Sequence, residues 1–267
     1  MANTPTIEVL LAVYNNPDVT RLTLEGYCHQ IDTEFTLVIA DDGSGPEIKQ
    51  LVDEFKSRLS IRHLRQEDQG FRKARILNIA IASSQAEYLV FTDNDCIPSQ
   101  HFVADHREAA RYGSFITGRR VDLGPIPTNE LLGGRRNNPD SLWWVLQHSL
   151  RKNLKRGEKA LRPPYWMHKL WSRKQIGTLG ANMAIWRDDL LKINGFDETF
   201  EGYGMEEVDL EWRLLASGVK RRSCLGRAVL YHLYHAPRAM TPENKRYLSE
   251  KINQGVWYAA KGIEQHR

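Results

Sequence analysis

The stretch Tyr88-Leu89-Val90-Phe91-Thr92-Asp93-Asn94-Asp95-Cys96-Ile97-Pro98 reads as a short apolar strand that ends abruptly in two acids. In an open parallel sheet, ligands bind just beyond the carboxyl ends of strands, so acids at that edge face a crevice. Asp93 and Asp95 are two residues apart, and alternate side chains of an extended backbone point the same way, which brings both to one ligand. Hard carboxylate oxygens suit Mg²⁺ or Mn²⁺, with a phosphate completing the shell. Asp and Asn are also ordinary loop residues, so Asp-x-Asp alone describes a solvated turn equally well.

The chain upstream supports the crevice reading. Residues 7–13 form an apolar run suited to a buried strand, and Tyr14-Asn15-Asn16-Pro17 breaks it before a helical pattern from Asp18. Residues 35–40 form a second strand that runs into Asp41-Asp42-Gly43-Ser44-Gly45, followed by a helix over 46–58. A third strand at 61–64 and a helix over 71–82 lead into the fourth strand, 88–92. Strands alternating with helices predict an α/β fold, with a Rossmann-like, mostly parallel central sheet and helices on both faces. Asp41 and Asp42 then share the crevice edge with Asp93 and Asp95. Carboxylates there accept hydrogen bonds from ribose hydroxyls or a base N–H, and a divalent ion reverses the local sign for phosphates. Lys73 and Arg75, near the start of the third helix, supply charge suited to a diphosphate. A tight turn is the plain alternative for Asp41-Asp42-Gly43. No Gly-x-Gly-x-x-Gly follows the first strand and no Gly-x-x-x-x-Gly-Lys-Ser/Thr occurs, so dinucleotide and Walker-type cradles lose their main signal.

Downstream, the pattern predicts a helix over 99–112, a strand over 115–123, a return to the sheet over 176–186 and a short helix over 188–193. The small residues Gly177, Gly180 and Ala181 mark places where backbone approaches something closely. A glycine-punctuated loop, Gly202-Tyr203-Gly204-Met205, then enters an amphipathic helix whose first turn holds Glu206, Glu207 and Asp209. The helix dipole favours acids there, and capping alone accounts for such a pair. A strand over 228–233 leads to His232 and His235, and a polar helix over 242–260 closes the pattern. His-x-x-His is weak evidence for a metal, because His is also a frequent core or surface residue.

The 267 residues suffice for one large α/β domain. A net charge of +4 is mild and gives no reason to expect nucleic acid as a partner. The charge is concentrated, however. Eleven Lys or Arg lie from Arg135 to Lys174 against only Asp140 and Glu158, with Trp143, Trp144, Tyr165, Trp166 and Trp171 interleaved. That make-up fits solvated basic surface, a membrane-surface segment or an anionic-acceptor site. No run of 18 apolar residues and no charged-then-apolar amino terminus is present. The expectation is a cytoplasmic protein, peripheral at most to the inner face of the cytoplasmic membrane. Cys28, Cys96 and Cys224, at unrelated spacings, fit reduced thiols.

In order and spacing, these pieces resemble an inverting glycosyltransferase of the GT-A fold, close to family 2, from Val9 to about His235. The carboxyl half also resembles the carboxyl-terminal domain of β-1,4-galactosyltransferases and of bacterial chondroitin polymerase. Asp41-Asp42-Gly43-Ser44 matches the family's nucleotide-base motif, and Asp93-Asn94-Asp95 its metal motif. Phe71-Arg72-Lys73-Ala74-Arg75-Ile76-Leu77-Asn78 resembles the galactosyltransferase segment that contacts the diphosphate. Asn194-Gly195-Phe196 followed by Gly202 to Asp209 resembles the loop that ends in an acidic pair, whose second member is the catalytic base. Tyr203 and Val208 depart from the galactosyltransferase Trp and longer acid run, so the acceptor and the donor differ from theirs.

The resemblance implies one GT-A domain over 1–267, with a nucleotide-sugar half at 1–125 and an acceptor and catalytic half at 126–267. Its donor, a uridine diphosphate sugar, contacts Tyr14, Asp41, Asp42, Lys73, Arg75, Asp93 and Asn94. Asp95 and His232 hold Mn²⁺ or Mg²⁺, with His232 favoured over His235 because Tyr231-His232 matches the chondroitin polymerase pair. Gly204, Glu206 and Asp209 shape the donor and acceptor loop, and Glu207 is the base. The acceptor is a glycan or lipid-linked glycan, as in surface polysaccharide assembly. A sugar-1-phosphate nucleotidylyltransferase instead needs a glycine-rich, Arg-containing loop after the first strand, where this chain has Tyr14-Asn15-Asn16-Pro17. A non-enzymatic phosphoacceptor module needs only the first half of the chain. A nucleic-acid binder using the basic segment would lose affinity steeply with salt.

Overall fold

The computed structural model describes residues 4–135, 138–172, 177 and 180–267. Eleven strands lie among them. They are β1 (Ile7–Val13), β2 (Phe35–Asp41), β3 (Ile61–Arg65), β4 (Tyr88–Asp93), β5 (Cys96–Pro98), β6 (Ser114–Thr117), β7 (Arg120–Leu123), β8 (Leu154–Lys155), β9 (Met183–Trp186), β10 (Lys220–Ser223) and β11 (Leu230–His232). The larger sheet has the order β10-β6-β9-β4-β1-β2-β3, and the smaller the order β5-β11-β7-β8.

Strands β1, β2 and β4 are near-continuous apolar runs because both of their faces are covered. Val9 and Leu11 of β1 pack into one cluster with Leu24, Tyr27 and Leu37, while Leu10 enters another with Val38, Ile76, Leu77 and Phe91. Alternate residues of one strand thus feed cores on opposite sides of the sheet. The parallel register pairs Ala12 with Asp93 and Val13 with Asp41, so the three strands end level. The chain runs outward from β1 to β2 and β3, then returns to place β4 on the other side of β1. A crevice opens where the order reverses, the usual ligand position in such sheets.

Several boundaries differ from the sequence pattern. The expected strand over 115–123 is two strands in different sheets, broken at Gly118-Arg119. Gly118 N–H donates to Asn182 O at 2.8 Å, and a Cβ at Gly118 would lie 2.3 Å from the Asn182 side chain, so the chain turns there. The acidic stretch is not continuously extended either: Asn94 and Asp95 form a turn between β4 and β5. The expected helices over 46–58, 71–82, 99–112 and 188–193 are Pro46–Phe55, Lys73–Ser83, Phe102–Ala109 and Arg187–Lys192. The last, over 242–260, is Pro242–Gln254, stopped by Gly255 at φ 68°. The return at 176–186 is β9, antiparallel to β4 and β6, and residues 176, 178 and 179 of that span lie outside the described residues. No helix among the described residues is long and apolar enough to cross a membrane.

Candidate active site

An open cleft sits at the carboxyl ends of β1, β2 and β4. Of the residues singled out in the sequence, Tyr14, Asp42, Lys73, Asp93, Asn94, Asp95 and His232 line it. Phe71, Arg120, Tyr203, His235 and Arg238 line it as well. The turn at Asn94 is pinned from three sides: its N–H donates to Ala12 O at 3.1 Å, its carbonyl accepts from Thr23 Oγ1 at 2.6 Å, and its Nδ2 donates to Thr20 Oγ1 at 3.2 Å.

At the β2 end, Asp42 is buried, accepting from Gln66 Nε2 at 2.5 Å and from the Arg72 N–H at 2.8 Å. Burial pushes its carboxyl pKa up, and those two bonds offset only part of the effect. Asp41 and Arg75 do not line the cleft. Asp41 is 1 % exposed, caps the backbone N–H of Ser44 at 2.7 Å and meets His63 Nε2 at 2.9 Å. Burial opposes its charge, but His63 and Ser44 outweigh that and lower its pKa. Arg75 donates to Gln66 Oε1 at 2.6 Å and so braces the partner of Asp42 one step behind the wall. The register explains Asp41: it is the last residue of β2, and the side chain that emerges beyond the strand is that of Asp42.

The small sheet builds the opposite wall. β11 pairs antiparallel with β5 so that His232 lies across from Cys96, and Leu233 N–H donates to Asp95 O at 2.9 Å. His232 Nε2 is 3.5 Å from Asp95 Oδ2, His235 Nε2 is 3.3 Å from the same oxygen, and the two Nε2 atoms are 3.1 Å apart. The structure therefore brings both histidines to Asp95 rather than His232 alone. Ligand atoms from the three residues lie within 4.8 Å of one another. His232 Nδ1 is 3.5 Å from Asp122 Oδ1, and Arg120 Nε holds that carboxylate at 2.9 Å. A carboxylate on Nδ1 fixes the tautomer that leaves Nε2 free as a ligand, the common outer-shell arrangement for a metal-binding His. One carboxylate and two imidazoles converging on one point fit a divalent transition-metal ion. Burial opposes charge on His232, but Asp122 and Asp95 raise its pKa; the same histidines hold Asp95 ionised against its own burial.

The third wall is the loop before the helix Glu206–Ala216. Gly202, Gly204 and Met205 have φ of 75°, 107° and 79°, a conformation glycine adopts without strain. A second cavity adjoins the first, sharing Lys73, Asp93, Arg120 and Tyr203, and its own wall includes Gly180, Gly204 and Glu207. Lys73 Nζ lies at the junction, 2.7 Å from Asp93 Oδ1 and 3.0 Å from Glu207 Oε1. Burial works against the ammonium, but Asp93, Glu207 and Glu206 hold its pKa well above the ordinary lysine value. Glu206, 3 % exposed, lines neither cavity, and burial, reinforced by the Glu207 charge, pushes its pKa up to about 7.

Asp209 is not part of the loop's working surface. It is fully buried, with Arg213 Nε 2.7 Å from one oxygen and Lys251 Nζ 2.6 Å from the other, and Lys251 also meets Asp197 at 2.6 Å. This ionic clasp ties the helix Glu206–Ala216 to the helix Pro242–Gln254. The sequence reading missed Arg120, Asp122 and Arg238, and ranked His235 below His232. The spacing of His232 and His235 was visible, but Arg120 and Asp122 reach the site through a sheet pairing that no local pattern announces.

The sheet, with its crevice at the strand ends, has the GT-A fold, and solved structures share it. S. aureus TarS 1-349 in complex with UDP superposes with a TM-score of 0.63 at 14 % identity, over 98 % of this chain and 68 % of that one. GalNAc-T7 with UDP, GalNAc and Mn²⁺ gives 0.63 at 15 % identity, over 94 % and 48 %. The particular family follows from the sequence itself: the model for glycosyl transferase family 2 matches residues 8–166, and the chain belongs to that family. A second model, described as the N-terminal domain of galactosyltransferase, matches residues 162–236. Among curated relatives, the chondroitin synthase of Escherichia coli is 24 % identical over 249 residues, 85 % of this chain. The chain spans about a third of that relative's length, 34 %.

Proposed function

We propose that the chain transfers a sugar, with inversion at the anomeric carbon, from a uridine diphosphate sugar to a hydroxyl of a glycan or lipid-linked glycan. One observation carries this: Lys73 and Asp93 join a cleft at the sheet edge, which holds the Asp95, His232 and His235 cluster, to a second cavity that holds Glu207. The base and ribose lie along Tyr14, Asp42 and Asp93, with the diphosphate toward Lys73 and Arg238. Asp95, His232 and His235 would hold a divalent transition-metal ion such as Mn²⁺, which would supply Lewis-acid stabilisation of the departing diphosphate. Residues 1–125 supply the base and ribose wall of the donor cleft, and residues 126–267 add the two histidines and Arg238 to it and supply the acceptor side.

Glu207 takes the proton of the acceptor hydroxyl as that oxygen attacks the anomeric carbon from the second cavity. A single displacement gives an inverted product. In the unliganded chain the Lys73 ammonium neutralises Glu207; a bound diphosphate offers that ammonium a competing anion and releases the carboxylate for its role. Gly180 keeps the space around the base open, since a Cβ there would sit 2.1 Å from Glu207 Oε1.

A screen of nucleotide sugars for metal-dependent hydrolysis tests the reading without knowledge of the acceptor. Release of uridine diphosphate from one sugar donor in the presence of Mn²⁺ is the expected result. No turnover of any donor, with or without metal, would remove the proposal.

A further inference from the structure

The helix Leu142–Leu150 packs Trp144 and Val145 into a cluster with Val121, Leu123 and Tyr231 of the small sheet. Its other face is bare: Leu142, Trp143, Leu146 and Leu150 are 60, 78, 42 and 85 % exposed. The helix Tyr165–Trp171 repeats the pattern, with Trp166 67 % and Leu170 52 % exposed one turn apart. The two helices are neighbours, since Leu142 and Val145 line the same cavity as Met167 and Trp171. Six large apolar side chains left this exposed on two neighbouring short helices are uncommon on a water-facing surface and mark an interaction site.

The charge around the face identifies its partner. Arg151 and Lys152 follow the first helix directly, Lys155 comes three residues later, and all are exposed with no ion pair among the described residues. The acids of the same region are engaged: Asp140 accepts from Tyr231 Oη at 3.1 Å and from the Gln100 N–H at 2.8 Å, and Glu158 lies 3.4 Å from Lys159. Trp and Leu on one side of short helices, with unpaired cations at the margin, suit the boundary between headgroups and acyl chains of an anionic bilayer. We propose that this face seats the protein on an anionic lipid surface. The seat is separate from the cleft: along β11, Tyr231 faces the helices and His232 faces the metal-ligand cluster, as alternation in a strand requires.

Sedimentation of the full chain with vesicles of phosphatidylcholine, alone or mixed with phosphatidylglycerol, tests the proposal. Binding is expected to the mixed vesicles at about 0.1 M salt, with release at about 1 M, as the Debye length drops from roughly 10 Å to roughly 3 Å. The triple change Arg151→Gln, Lys152→Gln and Lys155→Gln is expected to weaken partition by roughly a hundredfold. Trp143→Ser with Leu150→Ser and Trp166→Ser is expected to abolish it, with circular dichroism and Tm reporting that the fold is kept. The proposal is overturned if the wild type stays in the supernatant, binds phosphatidylcholine alone equally well, or is unaffected by the charge variant. It is equally overturned if size exclusion shows that the face holds a second copy of the chain and vesicles do not compete.

Discussion

Replacing Glu206 by Gln should stabilise the protein, and only above mildly acidic pH. Glu206 is almost wholly buried, and its carboxyl titrates at about 7 instead of the ordinary 4.5, because burial and then the Glu207 charge disfavour its ionised form. Between those values the folded chain keeps a proton that the unfolded chain has released, so stability falls as pH rises through that window. At about 1.4 kcal/mol per tenfold change in proton affinity, the gap corresponds to a loss of about 3 kcal/mol once pH exceeds 7. Glutamine has the same shape and nothing to ionise. Urea unfolding of both proteins in metal-free buffer, from about pH 4.5 to about pH 8, should show a difference near zero at the acid end that grows in favour of the variant toward about 3 kcal/mol. A difference independent of pH, or a variant that loses ground as pH rises, would refute the reasoning.

Glu207→Gln should reduce the transfer rate by about two to four orders of magnitude while uridine diphosphate affinity stays unchanged, measured by steady-state kinetics and calorimetry. Normal turnover in that variant beside a dead Glu206→Gln would mean that the base is the other acid. Gly180→Ala should depress turnover in the same selective way, because its Cβ would collide with the Glu207 carboxylate; unchanged kinetics would show that the carboxylate moves aside freely. Lys251→Met should cost about 3–5 kcal/mol of unfolding free energy, since it leaves Asp197 and Asp209 buried without their shared cation. A loss below about 1 kcal/mol would show that the clasp is solvated in solution.

The parallel part of the sheet was legible because its strands are uninterrupted apolar runs that end in acids and glycines, as in Tyr88 to Asp95. What propensity could not convey was how the chain splits between two sheets. Residues 115–123 look like one strand until Gly118 meets Asn182, 64 positions later, at the point where β6 and β7 divide. The division carries much of the site with it, for Arg120 and Asp122 reach His232 through the pairing of β7 with β11. Asp41 and Asp209 misled for the opposite reason. Acids beside a cleft look functional in a linear pattern, yet each turns inward to partners far along the chain, His63 for one and Lys251 for the other. Arg75 is displaced by one hydrogen bond, through Gln66, from the role its position suggested.

The central claim is that Asp95, His232 and His235 hold a divalent ion that couples the protein to a nucleoside diphosphate. Calorimetry of uridine diphosphate binding with and without Mn²⁺, to the wild type and to Asp95→Ala, tests it most directly. Mn²⁺ is expected to tighten binding to the wild type by at least about tenfold, roughly 1.4 kcal/mol, and to leave the variant unaffected while its Tm stays close to that of the wild type. Equal binding by both proteins, or binding to the wild type that ignores the metal, would contradict it.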